Sequence, residues 1–319
     1  MKTAKELAQE FIGLKSVLIF CHTRPDGDTL GSAMALCTAL RKKQIECDIV
    51  CDGIVPEKYH FISLAKQILK PECVMKKYQA HIAVDVATEN LLGTTWGIFT
   101  SSDKTFVVDH HASNERYAKV NFVATAPATA MIVCKIIENM GVEFDKDIAN
   151  SILLGIITDT ALFLNNNVNE ECFTISAKML SYGANMDEIV TNLYKNQSKA
   201  RAQLYAEVIG RTKFYLHDRL AVVVTTLSDL NKYNLQSDET EGFVDFPLSI
   251  SGVEVAVSIL QTKSELYRVS FRSKGRVNVN EVAQEFGGGG HKFASGCVVK
   301  GVFEEVIEKI IRAVDINLY

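Results

Sequence analysis

The chain has 319 residues, of which 47% are hydrophobic and 23% charged, with a net charge of −4; that suffices for two domains and a sizeable core, and suits a soluble globular protein. The acidic balance argues against a wide duplex-binding surface, which needs a basic excess, but permits a pocket for a short nucleotide. No apolar run approaches the roughly 18 residues of a membrane span, and the eight cysteines show neither C-x-x-C nor zinc-ligand spacing, so reduced core thiols in a cytoplasmic protein are expected.

In chain order, Glu6 and Glu10 lie among apolar residues, which predicts an amphipathic N-terminal helix rather than a secretion signal. The apolar run Val17-Leu18-Ile19-Phe20-Cys21 predicts a strand. After it comes His22-Thr23-Arg24-Pro25-Asp26-Gly27-Asp28-Thr29-Leu30-Gly31-Ser32, which leads into helical spacing at Leu30, Ala33, Met34, Cys37 and Leu40. Pro25 and Gly27 punctuate the loop, and Thr29 is the expected helix cap. One imidazole and two carboxylates are thereby presented at a strand's C-terminal end, where open α/β sheets bind ligands. Asp26 and Asp28 repel each other unless a cation lies between them; taken alone, the same residues also suit an ordinary turn.

A strand over 47–51, a loop flanked by Pro56 and a helix near 59–69 come next. Two apolar strands then end in ligand-type residues, Ile82-Ala83-Val84-Asp85 and Phe106-Val107-Val108-Asp109-His110-His111. Helices are predicted over 128–140, stopped by Gly141, and over 147–157, and the apolar segment Ile156-Ile157-Thr158-Asp159-Thr160 ends in a further acid. Repeated endings of this kind supply the O and N ligands of a hard or borderline cation. The alternation up to residue 190 predicts an α/β domain with a largely parallel sheet and helices on both faces.

Residues 191–211 turn polar and helix-favouring and read as a helical connector. Strands over 220–224, 253–260 and 267–272, with a hairpin turn at 262–265, then predict a smaller mixed α/β domain. Arg272-Ser273-Lys274-Gly275 ends the last of these strands with a guanidinium and a hydroxyl suited to a phosphate or a terminal ribose. Between a helix pattern at 279–286 and a strand at 297–299, Gly287-Gly288-Gly289-Gly290 predicts a structured turn whose N–H groups can approach a phosphate, with His291 beside it. Phe303, Val306, Ile307, Ile310, Ile311 and Val314 fit a final amphipathic helix. His60, His81 and His217 lack acidic neighbours and read as surface or core residues.

The set His22-x-x-x-Asp26-x-Asp28-x-x-Gly31-Ser32, Asp85, Asp109-His110-His111 and Asp159-Thr160 resembles the DHH phosphoesterases. Phe286 to His291 with Ala294 and Gly296 resembles the signature of their DHHA1 subfamily. The likeness is collinear over nearly the whole chain. It implies a DHH catalytic domain over 1–190, a connector over 191–211 and a DHHA1 substrate-binding domain over 212–319. It further implies two divalent ions, one held by His22, Asp26 and Asp85 and the other by Asp28, Asp85, His110 and Asp159, with Asp85 bridging. Such a pair lowers the pKa of a shared water, so that hydroxide attacks phosphorus while both cations neutralise phosphate oxygens. His111 is then placed to contact the scissile phosphate or pass a proton to the leaving oxygen, and Asp109 to orient His111.

Mixed carboxylate and imidazole ligands suit Mn²⁺ better than Zn²⁺ or Mg²⁺, with Mg²⁺ or Co²⁺ as alternatives. By resemblance, Arg272, Ser273, Gly288, Gly289, Gly290 and His291 bind the uncleaved part of the nucleotide. The implied activity is a metal-dependent phosphoesterase that converts very short oligoribonucleotides to 5′-mononucleotides and dephosphorylates 3′-phosphoadenosine 5′-phosphate. A linear or cyclic dinucleotide phosphodiesterase and a single-strand-specific exonuclease are the enzyme alternatives. A nucleotide-binding regulator is the non-enzyme one, and it predicts eroded ligands, whereas all six are present. The expected partners are a short oligonucleotide or nucleotide, with no long duplex and no membrane; a homodimer is an open question of assembly. Val86 and Ala161 depart from the small hydroxyl residue and the glycine frequent in the family, which leaves substrate preference less fixed than chemistry.

Overall fold

The computed structural model describes residues 2–318, in two compact units that meet at Asn196 and Gln197. In the first, strands β1 (Ser16–Phe20), β2 (Glu46–Val50), β3 (Ala80–Val84), β4 (Thr105–Asp109) and β5 (Val120–Val123) form a wholly parallel sheet of order β2-β1-β3-β4-β5. Successive side chains of β1 face opposite ways. Val17, Ile19 and Cys21 enter the larger core, and Leu18 and Phe20 a smaller one. Both faces are buried, and this is why the strands read as unbroken apolar runs.

The long helices Ala4–Ile12, Gly27–Lys42, Thr129–Asn139 and Lys146–Asp159 cover the larger core. On the other face the helical cover is short, a 3₁₀ segment at Glu89–Thr95 and one turn at Trp96–Phe99. The first helix forms as predicted, with Thr3 and Glu6 closing a capping box. No single helix forms over 59–69. The chain makes separate 3₁₀ turns at Glu57–Tyr59 and Ser63–Gln67, because Ile62 is extended and breaks the helical hydrogen-bond series.

The second unit is a mixed sheet of order β10-β11-β9-β8-β7-β6, comprising β6 (Lys213–Tyr215), β7 (Leu220–Thr225), β8 (Val255–Lys263), β9 (Leu266–Ser273), β10 (Gly289–Gly290) and β11 (Ala294–Lys300). The predicted hairpin joins β8 to β9, with Glu265 taking the left-handed turn position. Only β7 and β8 pair in parallel. The last helix, Phe303–Leu318, buries Val306, Ile310 and Val314 on one core of this sheet. The segment expected to connect two domains is itself divided. A π-helical turn at Thr191–Lys195 ends the first unit, while Lys199–Gly210 buries Leu204 and Val208 in a core of the second. Among the described residues no helix is long and apolar enough to cross a membrane.

Candidate metal centre

β1 ends at Phe20, and the loop beyond it brings His22 and Asp26 to the sheet's C-terminal edge. The cap of the following helix is Asp26 rather than Thr29: Asp26 Oδ1 accepts the N–H groups of Asp28 and Thr29 at 3.0 and 3.1 Å. The Thr29 hydroxyl instead donates to the Val84 carbonyl at 2.9 Å, tying this helix to the strand that carries Asp85. Asp28 caps a second helix, accepting from Thr129 N at 2.6 Å and Ala130 N at 2.9 Å. Each carboxylate is fixed by a helix N-terminus and keeps lone pairs for the centre.

Asp85 follows β3 with φ +58°, the left-handed region that a non-glycine residue seldom occupies. The turn directs its carboxylate inward, where it is 4% exposed and receives the Thr129 hydroxyl at 2.9 Å. Asp85 Oδ2 lies 3.8 Å from His22 Nε2, and Asp85 Oδ1 lies 3.5 Å from His110 Nε2. Asp26 Oδ2 is 3.6 Å from His22 Nε2, and Asp159 Oδ2 is 3.3 Å from His110 Nε2. His22, Asp26 and Asp85 thus gather their ligand atoms within 4.8 Å of one another, as do Asp28, His110 and Asp159. Asp159 reaches this place from the C-terminal end of the helix Lys146–Asp159 and not from a strand end.

The electrostatics favour a cation. Burial raises the Asp28, Asp85 and Asp159 carboxyls above their usual range, and neighbouring carboxylates raise them further. Burial also opposes ionisation of Asp26, but His22 and the N–H groups of Thr29 and Asp28 hold it low. Burial pulls His22 down, yet Asp26, Asp85 and Asp28 together more than offset this and raise it. His110 Nδ1 lies 2.9 Å from the Ala126 carbonyl. A carbonyl only accepts, so Nδ1 carries a hydrogen and Nε2 is the ring atom that faces two carboxylates. A ring nitrogen and carboxylate oxygens face each other in this way when a proton or a cation lies between them. The donor set, two imidazoles and four carboxylates in two groups, with the two oxygens of Asp85 facing one histidine of each, therefore fits divalent metal ions.

Residues 16–156 match the DHH family, N-terminal domain, and residues 219–318 the DHHA1 domain. The chain belongs to the DHH family. Among its relatives, the bifunctional oligoribonuclease and PAP phosphatase NrnA of Thermus thermophilus is 29% identical over 301 residues, covering 93% of this chain and 89% of the relative. NrnA of Bacillus subtilis is 27% identical over 303 residues, with 94% and 93% covered. The crystal structure of an exopolyphosphatase-related protein from Bacteroides fragilis superposes with a TM-score of 0.91 at 25% identity, covering 98% of this chain and 95% of that one. Exonuclease RecJ bound to manganese shares the fold, with a TM-score of 0.53 at 11% identity over 98% and 94% of the two chains.

The DHH triplet divides its work. Asp109 is fully buried, and its Oδ1 accepts from His110 N at 2.8 Å, His111 N at 3.3 Å and His111 Nδ1 at 2.7 Å. Its Oδ2 accepts from Asn114 at 2.6 Å. These bonds hold the backbone of both histidines and the ring of His111 against one carboxylate. The sequence reading missed Asn114. It also missed Asn167, whose Nδ2 bridges the carbonyls of Pro127 and Asp159 at 3.1 and 3.2 Å and steadies the chain at Asp159. Asparagines in loops read as turn formers; their proximity to the DHH triplet and to Asp159-Thr160 is the signal that was available.

In the second unit the expected substrate residues are unequal. Arg272, near the end of β9, sets its Nε 3.4 Å from Asp245 Oδ1 and donates from Nη1 to the Phe271 carbonyl at 3.1 Å. Ser273 is buried and its hydroxyl accepts the Gly275 N–H at 2.9 Å. The Gly288 N–H already donates to the Ala283 carbonyl at 2.9 Å, and a Cβ there would meet the Gly296 carbonyl at 2.2 Å. Ser273 and Gly288 thus take part in the local turn geometry. Gly289 and Gly290 form the short edge strand β10 against β11, and the His291 N–H donates to the Ala294 carbonyl at 2.7 Å.

Proposed function

We propose that this chain is a metal-dependent phosphoesterase that hydrolyses very short oligoribonucleotides to 5′-mononucleotides and removes a phosphate from 3′-phosphoadenosine 5′-phosphate. One observation carries the reading: the two oxygens of Asp85 face different histidines, each with a further carboxylate beside it. His22, Asp26 and Asp85 would hold one divalent ion and Asp28, Asp85, His110 and Asp159 the second, with Mn²⁺ suited to this mixed oxygen and nitrogen set. Ions bound there would acidify a water toward neutrality and neutralise the oxygens of the phosphate.

The chain's own groups do the rest. With its Nδ1–H donated to Asp109, His111 would meet the scissile phosphate through Nε2 and, in the imidazolium form that also carries a hydrogen there, hand that proton to the leaving oxygen. Burial of Asp28, Asp85 and Asp109 limits the water that competes for these contacts. Arg272, Gly289, Gly290 and His291 would hold the uncleaved part of the nucleotide, and Asp245 keeps the Arg272 guanidinium oriented. The substrate assignment is supported by the NrnA relatives, which match over nearly their whole length.

The test is product release, with Mn²⁺ present, from a two-nucleotide RNA, a twenty-nucleotide RNA, 3′-phosphoadenosine 5′-phosphate and a cyclic dinucleotide, each assayed separately. The dinucleotide and the nucleoside bisphosphate should turn over fastest. Preference for the twenty-mer or the cyclic substrate would overturn the assignment while leaving the metal chemistry intact.

A further inference from the structure

We propose that Asn114 is the positioning residue of this centre, through one side-chain amide that fixes both the tautomer of His111 and the turned chain after Asp85. Asn114 is 9% exposed, and every polar group of its side chain is engaged. Nδ2 donates to Asp109 Oδ2 at 2.6 Å and to the Val86 carbonyl at 3.1 Å, while Oδ1 accepts the Arg116 N–H at 2.8 Å. The Asn114 backbone N–H donates to the His111 carbonyl at 3.1 Å. Two acceptors on one side and a backbone donor on the other settle the orientation of the amide.

Two consequences follow from these contacts. Asp109 has one oxygen for His111 and another for Asn114, so the Asn114 bond sets the carboxylate plane and aims Oδ1 at His111 Nδ1. Because a carboxylate only accepts, this forces a hydrogen onto Nδ1, so that in the neutral ring the lone pair is on Nε2. The Val86 carbonyl belongs to the residue after Asp85, whose φ of +58° is costly for an L residue and persists only when its surroundings hold it. Asn114 and the Tyr117 hydroxyl, at 3.0 Å, both donate to that carbonyl. Among the described residues only Asn114 donates to both Asp109 and the Val86 carbonyl, and an isosteric aspartate could serve neither, since it cannot donate and would set a second carboxylate against Asp109.

The kinetic arm of the test rests on the proposed phosphoesterase reading, and the spectroscopic arm does not. Protein with ¹⁵N-labelled histidine is stripped of metal and held at alkaline pH, where the imidazoles are neutral; the His111 signals are those missing from His111→Ala. The wild-type ring should be the Nδ1–H tautomer. Asn114→Ala and Asn114→Ser should shift it toward Nε2–H, and with Mn²⁺ should lower kcat on a two-nucleotide RNA about ten- to a hundredfold with KM changed little. Asn114→Asp should lose as much, whereas a residue that merely filled space would tolerate it. Tyr117→Phe, which removes one of two donors to Val86 and leaves Asp109 alone, should keep the wild-type tautomer. A wild-type tautomer in whichever of Asn114→Ala and Asn114→Ser folds would overturn the proposal. If the wild type does not cleave the dinucleotide at all, the phosphoesterase reading fails while the tautomer result still decides the role of Asn114.

Discussion

At Asp85 a strained backbone and a buried charge meet, and both are explained if its carboxylate is shared between two cations. Without a cation the same carboxylate adds to the repulsion among Asp28, Asp26 and Asp159. Asp85→Asn, which keeps shape and removes charge, should therefore raise Tm in EDTA by about 2–4 °C for each kcal/mol of repulsion relieved. It should also abolish turnover and the further rise in Tm that Mn²⁺ gives the wild type. Thermal denaturation with and without Mn²⁺, with metal analysis, reads both effects; two ions still tightly held in the variant would remove Asp85 from its bridging place. His81, which the sequence leaves as a plain surface or core histidine, is buried with Nδ1 2.9 Å from the Phe99 carbonyl, and burial lowers its pKa. Its neutral form stabilises the fold, so that contribution is complete above about pH 6.5, its unfolded value, and is lost as pH falls through the lower folded value. Between pH 7.5 and 5.5 the Tm of the wild type should fall more steeply than that of His81→Asn, which keeps a donor for Phe99 but does not titrate. Parallel slopes would show that His81 does not contribute to the acid sensitivity.

The elements of the first unit were legible because β1, β3 and β4 bury both faces and announce themselves as apolar runs that stop at or just before an acid or a histidine. The helix near 59–69 was misread because apolar spacing alone cannot show that Ile62 is extended. That Asp159 sits on a helix end was less legible, because an apolar segment ending in an acid looks alike whether it is helix or strand. Thr29 and Asp26 are both good caps, and only the contact to Val84 assigns them. Nor could sequence reveal why Gly155 lies inside a helix. A Cβ there would sit 2.5 Å from Ala130 Cβ and 2.7 Å from Asp28 Oδ1, so glycine is what lets the helix Lys146–Asp159 pass this close to the centre. Gly155→Ala should cost about 1–3 kcal/mol, the usual penalty of overpacking, and weaken Mn²⁺ binding by displacing Asp28. Gly97→Ala is the control, since nothing lies within 4 Å of its Cβ and Gly97 is helical; its stability should stay level or rise slightly. Equal behaviour of the two variants in chemical denaturation would show that the contact at Gly155 relaxes freely.

Across the whole chain the order of motifs foretold two α/β units, but not their internal wiring. The parallel pairing of β7 with β8 spans the short helices Leu227–Tyr233 and Asp245–Ser249, whose residues lack a strong helical period, and Asp245 meets Arg272 only through the folded sheet. The six candidate metal ligands lie in the first unit, whereas Arg272, Gly289, Gly290 and His291 belong to the second. If the first unit carries the chemistry and the second only recognises the uncleaved nucleotide, a substrate without that part should be indifferent to mutation there. Arg272→Ala or His291→Ala should lower kcat/KM on a two-nucleotide RNA about ten- to a hundredfold, the value of roughly 1.5–3 kcal/mol for a charged hydrogen bond to phosphate. A small activated phosphodiester should be cleaved nearly as by the wild type. Remote binding energy is expressed in kcat as well as KM, so both constants are needed on each substrate. Asp245→Asn sharpens the comparison: it removes the charge that orients Arg272 without removing the guanidinium, so it should fall between the wild type and Arg272→Ala on the dinucleotide and leave the small diester unchanged. Equal losses on both substrates would place these side chains at the reacting phosphate and end the proposed division of labour.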